Sequence, residues 1–333
     1  MPENIRLGIS SCLLGNPVRY NGGHKLDRCL RDELGKYVDW VPVCPEVECG
    51  LGVPREAMHL TGDPAAPRLV TSRTGVDHTE RMLSWASRRL DELEAEGLCG
   101  FVFKSRSPSS GMRGVKVYTK AGMPSKTGPG LFAGAFMERF PLLPVEDEDR
   151  LKDPILRENF IERIFVMHRW KAYLKTGGSM KGLADFHTGH ELLIMAHSPK
   201  ALKALGLLAA NAEGAPPGEV HDAYLKTLMA TLSLKATLAK NTNVLKHIMG
   251  HFKNQLTADE KQEMKQVIGE YRQGLVPLIV SVTLVNHYAR KFGDPYLEKQ
   301  VYLHPYASEL KLRNHAAPSN LLRNRQTRAR HAP

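Results

Sequence analysis

The sequence predicts an α/β N-terminal domain with a mostly parallel sheet, followed by an all-α C-terminal domain. Strand-like and helix-like segments alternate up to about residue 145, whereas nearly every segment from residue 151 onward has helical periodicity. Between them lie Pro144 and the acidic run 146–149. With 333 residues the chain is long enough for two hydrophobic cores. We therefore expect domains over 1–145 and 151–315, and a basic, disordered tail over 316–333.

Three short apolar segments each run into a loop rich in serine, cysteine, glycine or proline. The apolar segment 5–9 precedes the loop 10–15, the segment 40–43 precedes the loop 44–46, and the segment 100–103 precedes the loop 104–111. Such runs predict buried strands that end in irregular loops. If the strands are parallel neighbours, the three loops leave the same edge of the sheet. The carboxyl edge is where open α/β sheets bind ligands.

The other segments of the first half continue the alternation. Helical spacing covers 26–36, 77–97 and 131–139, and strand patterns cover 37–43, 68–73 and 115–118. The stretch 45–67 is rich in glycine and proline and predicts an irregular surface loop. Strands alternating with helices indicate a mostly parallel sheet covered on both faces.

In the second half, an apolar stripe from Ile155 to His168 predicts the first helix. Further helices are predicted over 180–196, 199–210, 218–239, 258–273 and 276–292. His187, His190 and His197 have spacings that place them near one face of a continuous helix. Without a cysteine motif beside them, hydrogen-bonded packing or RNA contact is favoured over metal binding.

Charge and cysteine content narrow the class of protein. The net charge of +11 and the pI near 9.4 suit a polyanionic partner, although many basic proteins bind no nucleic acid. No apolar run approaches the roughly 20 residues that span a bilayer, and residues 1–4 lack the pattern of a secretory signal. Five cysteines, all in the first third, argue against a disulfide framework, so we expect a cytoplasmic protein.

Two of the cysteines, Cys12 and Cys44, lie in the loops that follow predicted strands. Cys29 and Cys99 have apolar neighbours and are expected in the core. No C-x-x-C pair is present, which argues against a zinc finger. From the residues alone, Cys12 and Cys44 are structural thiols, a nucleophile or metal ligands.

Several motifs resemble the thiouracil desulfidase family. In the first half they are SCLLG (11–15), VRYNG (18–22), VCPE (43–46), GLGVPR (50–55) and SPSSG (107–111). The second half resembles a helical domain of formerly unknown function that is often fused to that family. Its motifs are DFHTGHE (185–191), AHSP (196–199), TNVL (242–245), HIMG (247–250) and LRNH (312–315). Such fusions are implicated in removing sulfur from 4-thiouridine in tRNA, whereas single-domain relatives act on free thiouracils.

The resemblance implies a 4Fe-4S cluster held by three cysteines, one from each loop, with one open iron. Cys12 and Cys44 fall at ligand positions, Glu46 at an acid/base carboxylate and Ser107 at a catalytic serine. A soft thiocarbonyl sulfur suits an open iron, and its binding would polarise the C=S bond for attack by water without net redox change. A loop carboxylate paired with Arg55 is the alternative interpretation of Glu46.

The third ligand position departs from the family pattern, because Ser110 stands where the family has cysteine. A serine oxygen is a hard donor and a poor match for iron normally held by thiolate. Three interpretations are open: Ser110 replaces an original cysteine, Cys49 supplies the thiolate, or the chain holds a cluster poorly or not at all. The intact pattern around Ser110 favours the first.

Six basic residues near the loops are candidates for contacts with RNA phosphates, or else form a solvated rim. They are Arg19, Arg55, Lys104, Arg106, Arg113 and Lys116. We expect an enzyme that desulfurates thiolated tRNA, with the target base turned out of its stack. The alternatives are a desulfidase of free thiouracil, and a non-catalytic RNA-binding protein with a decayed cluster site.

Overall fold

The structure is a computed structural model and describes residues 4–119, 123–210 and 214–315. The predicted basic tail over 316–333 lies outside these residues. The chain divides into two compact units between His168 and Arg169. None of the described helices combines the length and apolar character needed to cross a membrane.

The strands of the first unit form two sheets. They are β1 (Ile5–Ser10), β2 (Val38–Val43), β3 (Met58–Asp63), β4 (Ala66–Thr71), β5 (Phe101–Phe103), β6 (Val115–Tyr118), β7 (Pro124–Gly128) and β8 (Val145–Asp147). The first sheet has the order β2-β1-β5-β8, and all its pairings are parallel. The predicted parallel neighbours are therefore confirmed. A Cβ at Gly8 would lie 2.2 Å from the Phe101 ring, so only glycine allows this close packing of β1 on β5.

The second sheet was only partly predicted. Its order is β4-β3-β6-β7, with β3 and β6 parallel and both outer pairings antiparallel. The prediction of an irregular loop over 45–67 was wrong, since the segment contains a short helix and β3. Gly62 has φ 93°, a backbone angle that favours glycine, and it lies where the chain turns back from β3 into β4. This glycine therefore belongs to a hairpin rather than to an irregular loop.

The helices of the first unit cover its aromatic core. They are α1 (Pro45–Glu48), α2 (Thr79–Ala95), α3 (Leu131–Arg139) and α4 (Pro154–Lys175), which continues past the unit boundary. Phe101, Phe103, Phe132 and Phe136 are fully buried and contact one another across β5 and α3. The predicted helix over 26–36 is present only in part, as a short π-helix, Cys29–Glu33, followed directly by a 3₁₀ turn, Leu34–Lys36.

The acidic run is not a connecting segment. Its first residues form β8, the strand that pairs with β5, and Glu146, Asp147 and Glu148 are only 5–7% exposed. Buried carboxylates are tolerated only when they are paired, and each of these three contacts an arginine or lysine side chain. The sequence pattern placed the run between the two halves because it does not reveal these partners.

The second unit is helical, as predicted. Its helices are α5 (Met180–His197), α6 (Pro199–Ala210), α7 (Pro217–Leu232), α8 (Leu238–His251), α9 (Ala258–Gln273), α10 (Leu278–Phe292) and α11 (Pro295–Glu298). The predicted helix over 218–239 was too long, and α8 was missed. The Thr237 side chain accepts a hydrogen bond from Lys240 N and so starts α8.

The three histidines of α5 are buried and serve in packing. His187 Nδ1 lies 3.0 Å from the Tyr224 hydroxyl, and His190 Nδ1 lies 2.7 Å from the Phe186 carbonyl oxygen. His197 is hydrogen-bonded to the Leu234 carbonyl. The described residues contain no cluster of histidine, cysteine or carboxylate groups suited to a metal ion. The hydrogen-bonded packing predicted for these three side chains is therefore present.

Candidate functional site

A cavity of about 410 Å³ lies at the carboxyl edge of the parallel sheet, where the loops after β1, β2 and β5 meet. The cavity wall includes Cys12, Cys44, Glu46, Ser107 and Ser110. Its volume is in the range of small-molecule sites. Adjacent parallel strands thus bring together all five residues to which the resemblance assigns a role.

The first wall of the cavity is a 3₁₀ turn, Ser11–Leu14, which ends at Gly15 with φ 96°. The Cys12 carbonyl accepts the N–H groups of Gly15 at 3.3 Å and Lys25 at 2.9 Å, so the turn is held from two sides. Burial, followed by the proximity of Cys44, raises the pKa of the Cys12 thiol to about 11. Cys12 is thus a buried thiol beside a second cysteine.

The second wall begins at Cys44, the residue that precedes α1. Its N–H donates to Glu48 Oε1 at 2.7 Å, and Arg89 Nε lies 3.3 Å from Glu48 Oε2. Burial raises the pKa of the Cys44 thiol as well as that of the Glu48 carboxyl. The role of Glu48 as a support for Cys44 was not predicted from the sequence. Its only sequence signal is its place four residues after Cys44 in a glycine- and proline-rich stretch.

Glu46 is held by two partners in the cavity wall. Arg55 Nε donates to Glu46 Oε2 at 3.0 Å, and the Arg55 and Glu46 side chains are 8% and 16% exposed. The Ser109 hydroxyl donates to Glu46 Oε1 at 2.8 Å. The Glu46–Arg55 ion pair, which was the alternative interpretation of Glu46, is therefore present. The same carboxylate also lines the cavity.

The third wall is the loop after β5, which is fixed by its own hydrogen bonds. Ser107 Oγ accepts the N–H groups of Ser109 at 3.3 Å and Ser110 at 3.1 Å. The N-terminus of α3 donates Leu131 N–H to the Pro108 carbonyl at 3.1 Å and two further N–H groups to the Ser109 carbonyl. The loop backbone is therefore anchored to a helix, and its serine side chains have defined positions.

The donor groups fit an iron–sulfur cluster at two of the three expected positions. Cys12 and Cys44 are thiols on one cavity, and thiolates are the usual ligands of such clusters. The third position, Ser110, is 4% exposed and presents a hydroxyl. Cys49 does not line the cavity: it packs against the hydrophobic core, with Sγ 3.4 Å from the Glu46 carbonyl oxygen. The interpretation that Cys49 replaces the missing thiolate is therefore not supported by the geometry.

Several of the predicted RNA-contacting cations have carboxylate partners. Lys104 pairs with Glu148, and Arg113 lies 2.6 Å from Glu146 Oε1. Arg55 is the buried partner of Glu46. Because β8 and the residue directly after it supply the carboxylates for Arg113 and Lys104, much of the charge of these two side chains is neutralised within the domain.

The remaining cations are placed differently. The Arg106 side chain is 84% exposed on the cavity rim, 4.0 Å from Asp149. Arg19 lines the cavity and lies over the Tyr20 ring at 5.6 Å, with Tyr20 42% exposed. Lys116 is exposed on β6 and does not line the cavity. Arg19 and Arg106 are thus the predicted cations most accessible from the cavity mouth.

Comparisons with known proteins find a family match in each half of the chain. The 2-thiouracil desulfurase family matches residues 7–148, and a protein family of unknown function, DUF1722, matches residues 191–307. The uncharacterised Escherichia coli K12 protein YbgA is 28% identical over 153 residues, which are 46% of this chain and 90% of YbgA. The uncharacterised Bacillus subtilis 168 protein YbbK is 32% identical over 111 residues, which are 31% of this chain and 71% of YbbK.

A solved structure, the [4Fe-4S]-dependent thiouracil desulfidase TudS, is 29% identical, with a TM-score of 0.38. It covers 45% of this chain, and the match spans 95% of TudS. With a desulfurase match over the cavity-bearing domain and a second match over the helical one, the chain belongs to the thiouracil desulfidase family, in a two-domain form.

Proposed function

We propose that this chain is an iron–sulfur-dependent desulfidase that replaces the sulfur of a thiolated uracil by oxygen without net redox change. We further propose that 4-thiouridine in tRNA is its substrate. The observation that carries the proposal is the cavity in which Cys12, Cys44, Glu46 and Ser107 meet at the carboxyl edge of the sheet. Soft ligands, a carboxylate and a hydroxyl around one small cavity suit the hydrolysis of a C=S bond.

The residues of the chain have separate roles in this proposal. Cys12 and Cys44 would hold the cluster, which would supply iron as a soft acceptor for the thiocarbonyl sulfur. Glu46 takes a proton from the water that attacks the ring carbon, and the C–S bond then breaks, so that the carbon keeps the water oxygen and the sulfur leaves as sulfide. Arg55 and Ser109 fix the two oxygens of that carboxylate, so its orientation does not depend on the substrate.

Two features of the chain favour a polynucleotide over a free base. The net charge is +11, and the exposed Arg106 and the Arg19–Tyr20 pair stand at the cavity mouth. Cations there suit phosphates, and an exposed aromatic ring beside an arginine suits a stacked base. A base that reaches the cavity from tRNA has to be turned out of its stack.

The test is an anaerobic assay of the full chain after reconstitution with iron and sulfide. Equal concentrations of tRNA containing 4-thiouridine, free 4-thiouracil and free 2-thiouracil are compared, and sulfide release is measured together with the uracil or uridine formed. We expect the highest kcat/KM on tRNA, and a loss of turnover in Glu46→Gln without loss of bound iron.

Each other outcome identifies an alternative. Turnover of free thiouracils only would leave a desulfidase of free bases and remove tRNA as substrate. A colourless protein that retards tRNA but releases no sulfide would identify a non-catalytic RNA-binding protein.

A further inference from the structure

The serine hydroxyls on the cavity wall differ in how well they are hydrogen-bonded. Each of five has a hydrogen bond of 3.1 Å or shorter: Ser10, Ser11, Ser105, Ser107 and Ser109. The Ser110 hydroxyl differs, because its hydrogen-bond contact within the described residues is to Ser109 Oγ at 3.5 Å. That distance is longer than an ordinary O–H···O bond.

This hydroxyl is also buried, since Ser110 is 4% exposed. A buried hydroxyl without a good hydrogen-bond partner is energetically unfavourable. The backbone of Ser110 is nevertheless fixed, because its N–H donates to Ser107 Oγ at 3.1 Å. A buried side chain that has a fixed backbone and a poorly hydrogen-bonded hydroxyl on a cavity wall is suited to bind a ligand in that cavity.

Other side chains near the cavity are less suited than Ser110 to act as a third ligand. Cys49 and Met58 both pack against the hydrophobic core. Glu46 is occupied by Arg55 and Ser109. Ser110 is therefore the donor on the third loop that remains available beside the two cysteines.

We propose that the Ser110 oxygen is the third protein ligand of the iron–sulfur cluster in this chain. This inference rests on the proposed function, since it requires that the cavity hold a cluster. When the ligand binds, the hydroxyl proton leaves to solvent and one Fe–O bond forms, and no electron is transferred. A hard oxygen donor favours ferric iron over ferrous iron, so the cluster is harder to reduce and more easily lost than one held by three thiolates.

The experiment compares four full-length proteins, reconstituted anaerobically with iron and sulfide: the parent, Ser110→Ala, Ser110→Cys and the control Cys49→Ala. Bound iron and sulfide, the visible spectrum and iron X-ray absorption are measured, and far-UV circular dichroism checks that each protein is folded. We expect the parent and Cys49→Ala to hold equal amounts of cluster with an Fe–O contribution. Ser110→Ala should bind iron at least about tenfold more weakly, as expected when a metal site loses support. Ser110→Cys should hold more cluster and show no Fe–O contribution.

The remaining outcomes overturn the proposal in distinguishable ways. Equal amounts of bound cluster in the parent and in Ser110→Ala would show that Ser110 is not a ligand, as would loss of bound cluster in Cys49→Ala. Either result would leave the desulfidase proposal standing. A cluster in Ser110→Cys alone would likewise show that the serine oxygen does not bind iron. Failure of all four proteins to hold iron would overturn the proposed function as well.

Discussion

The hydroxyl of Ser109 donates a hydrogen bond to Glu46 at 2.8 Å and lies 3.0 Å from the hydroxyl of Ser107. Ser109 therefore connects the two side chains to which the family resemblance assigns catalysis, although they come from loops after different strands. It is also 1% exposed, so water does not readily replace it. This relationship makes Ser109 a positioning residue for the proposed reaction.

Ser109→Ala should lower kcat for desulfuration by about tenfold with little change in KM, because a misaligned carboxylate affects the proton transfer more than binding. Bound iron should stay at the parent level, and steady-state kinetics with iron analysis measures both. Ser105→Ala is the matched control, since it removes a hydroxyl of the same loop that instead bonds to Glu148. Equal losses in both variants would indicate a general loosening of the loop.

Arg55→Met should lower the free energy of unfolding by about 3 kcal/mol, since it leaves the Glu46 carboxylate buried without its partner. The Arg55 and Glu46 side chains are only 8% and 16% exposed. Arg139→Met breaks an exposed pair with Glu94, whose side chain is 56% exposed, and should cost less than about 1 kcal/mol. Urea unfolding of each variant gives the comparison. Similar costs at the two positions would contradict a special role for burial.

Binding to tRNA should depend more on Arg106 than on Lys104. The Arg106 side chain is 84% exposed, whereas Lys104 is 20% exposed and pairs with Glu148. If Arg106 contacts a phosphate, Arg106→Ala should make the negative slope of log K for tRNA association against log salt concentration shallower by about 0.7–0.9. Lys104→Ala should change this slope little. Filter binding at several salt concentrations measures both slopes. The opposite order would mean that tRNA displaces the Lys104–Glu148 pair.

The helical unit should become less stable in mild acid because of His190. Burial lowers the pKa of His190 from 6.5 to about 3, with Arg169 and His187 adding to the effect. The unfolded chain takes up a proton below pH 6.5 that the folded chain resists, so this contribution is present above pH 6.5 and is lost as the pH falls toward 3. Between pH 7 and pH 5 the loss is about 2 kcal/mol.

The pH effect is isolated by comparing the parent with His190→Gln in urea titrations at both pH values. The variant should lose less stability than the parent on acidification. An identical pH dependence in the two proteins would show that other groups cause the acid sensitivity.

The sequence predicts the cavity better than its surroundings. Cys12, Cys44 and Glu46 follow short apolar strands, a pattern that can be recognised in the local sequence. The parallel pairing of these strands then brings the three residues together. The acidic run 146–149 was misplaced because its partners, Lys104 and Arg113, are far away in the sequence. Glu48 and Ser109 were missed for a related reason: their roles depend on contacts with backbone or carboxylate groups that no local pattern reveals.

The order of the strands in space has a consequence for how the protein is made. β1 and β2 emerge early in synthesis, but β5, which carries the third wall of the cavity, follows almost 60 residues after β2. Cys12 and Cys44 are therefore exposed to oxidants and stray metals until β5 pairs with β1. Pairing between distant strands is slow compared with helix formation. If the cavity holds the proposed cluster with a ligand from each of the three loops, insertion of the cluster has to wait for that pairing, and the timing of iron delivery would then matter as much as its supply.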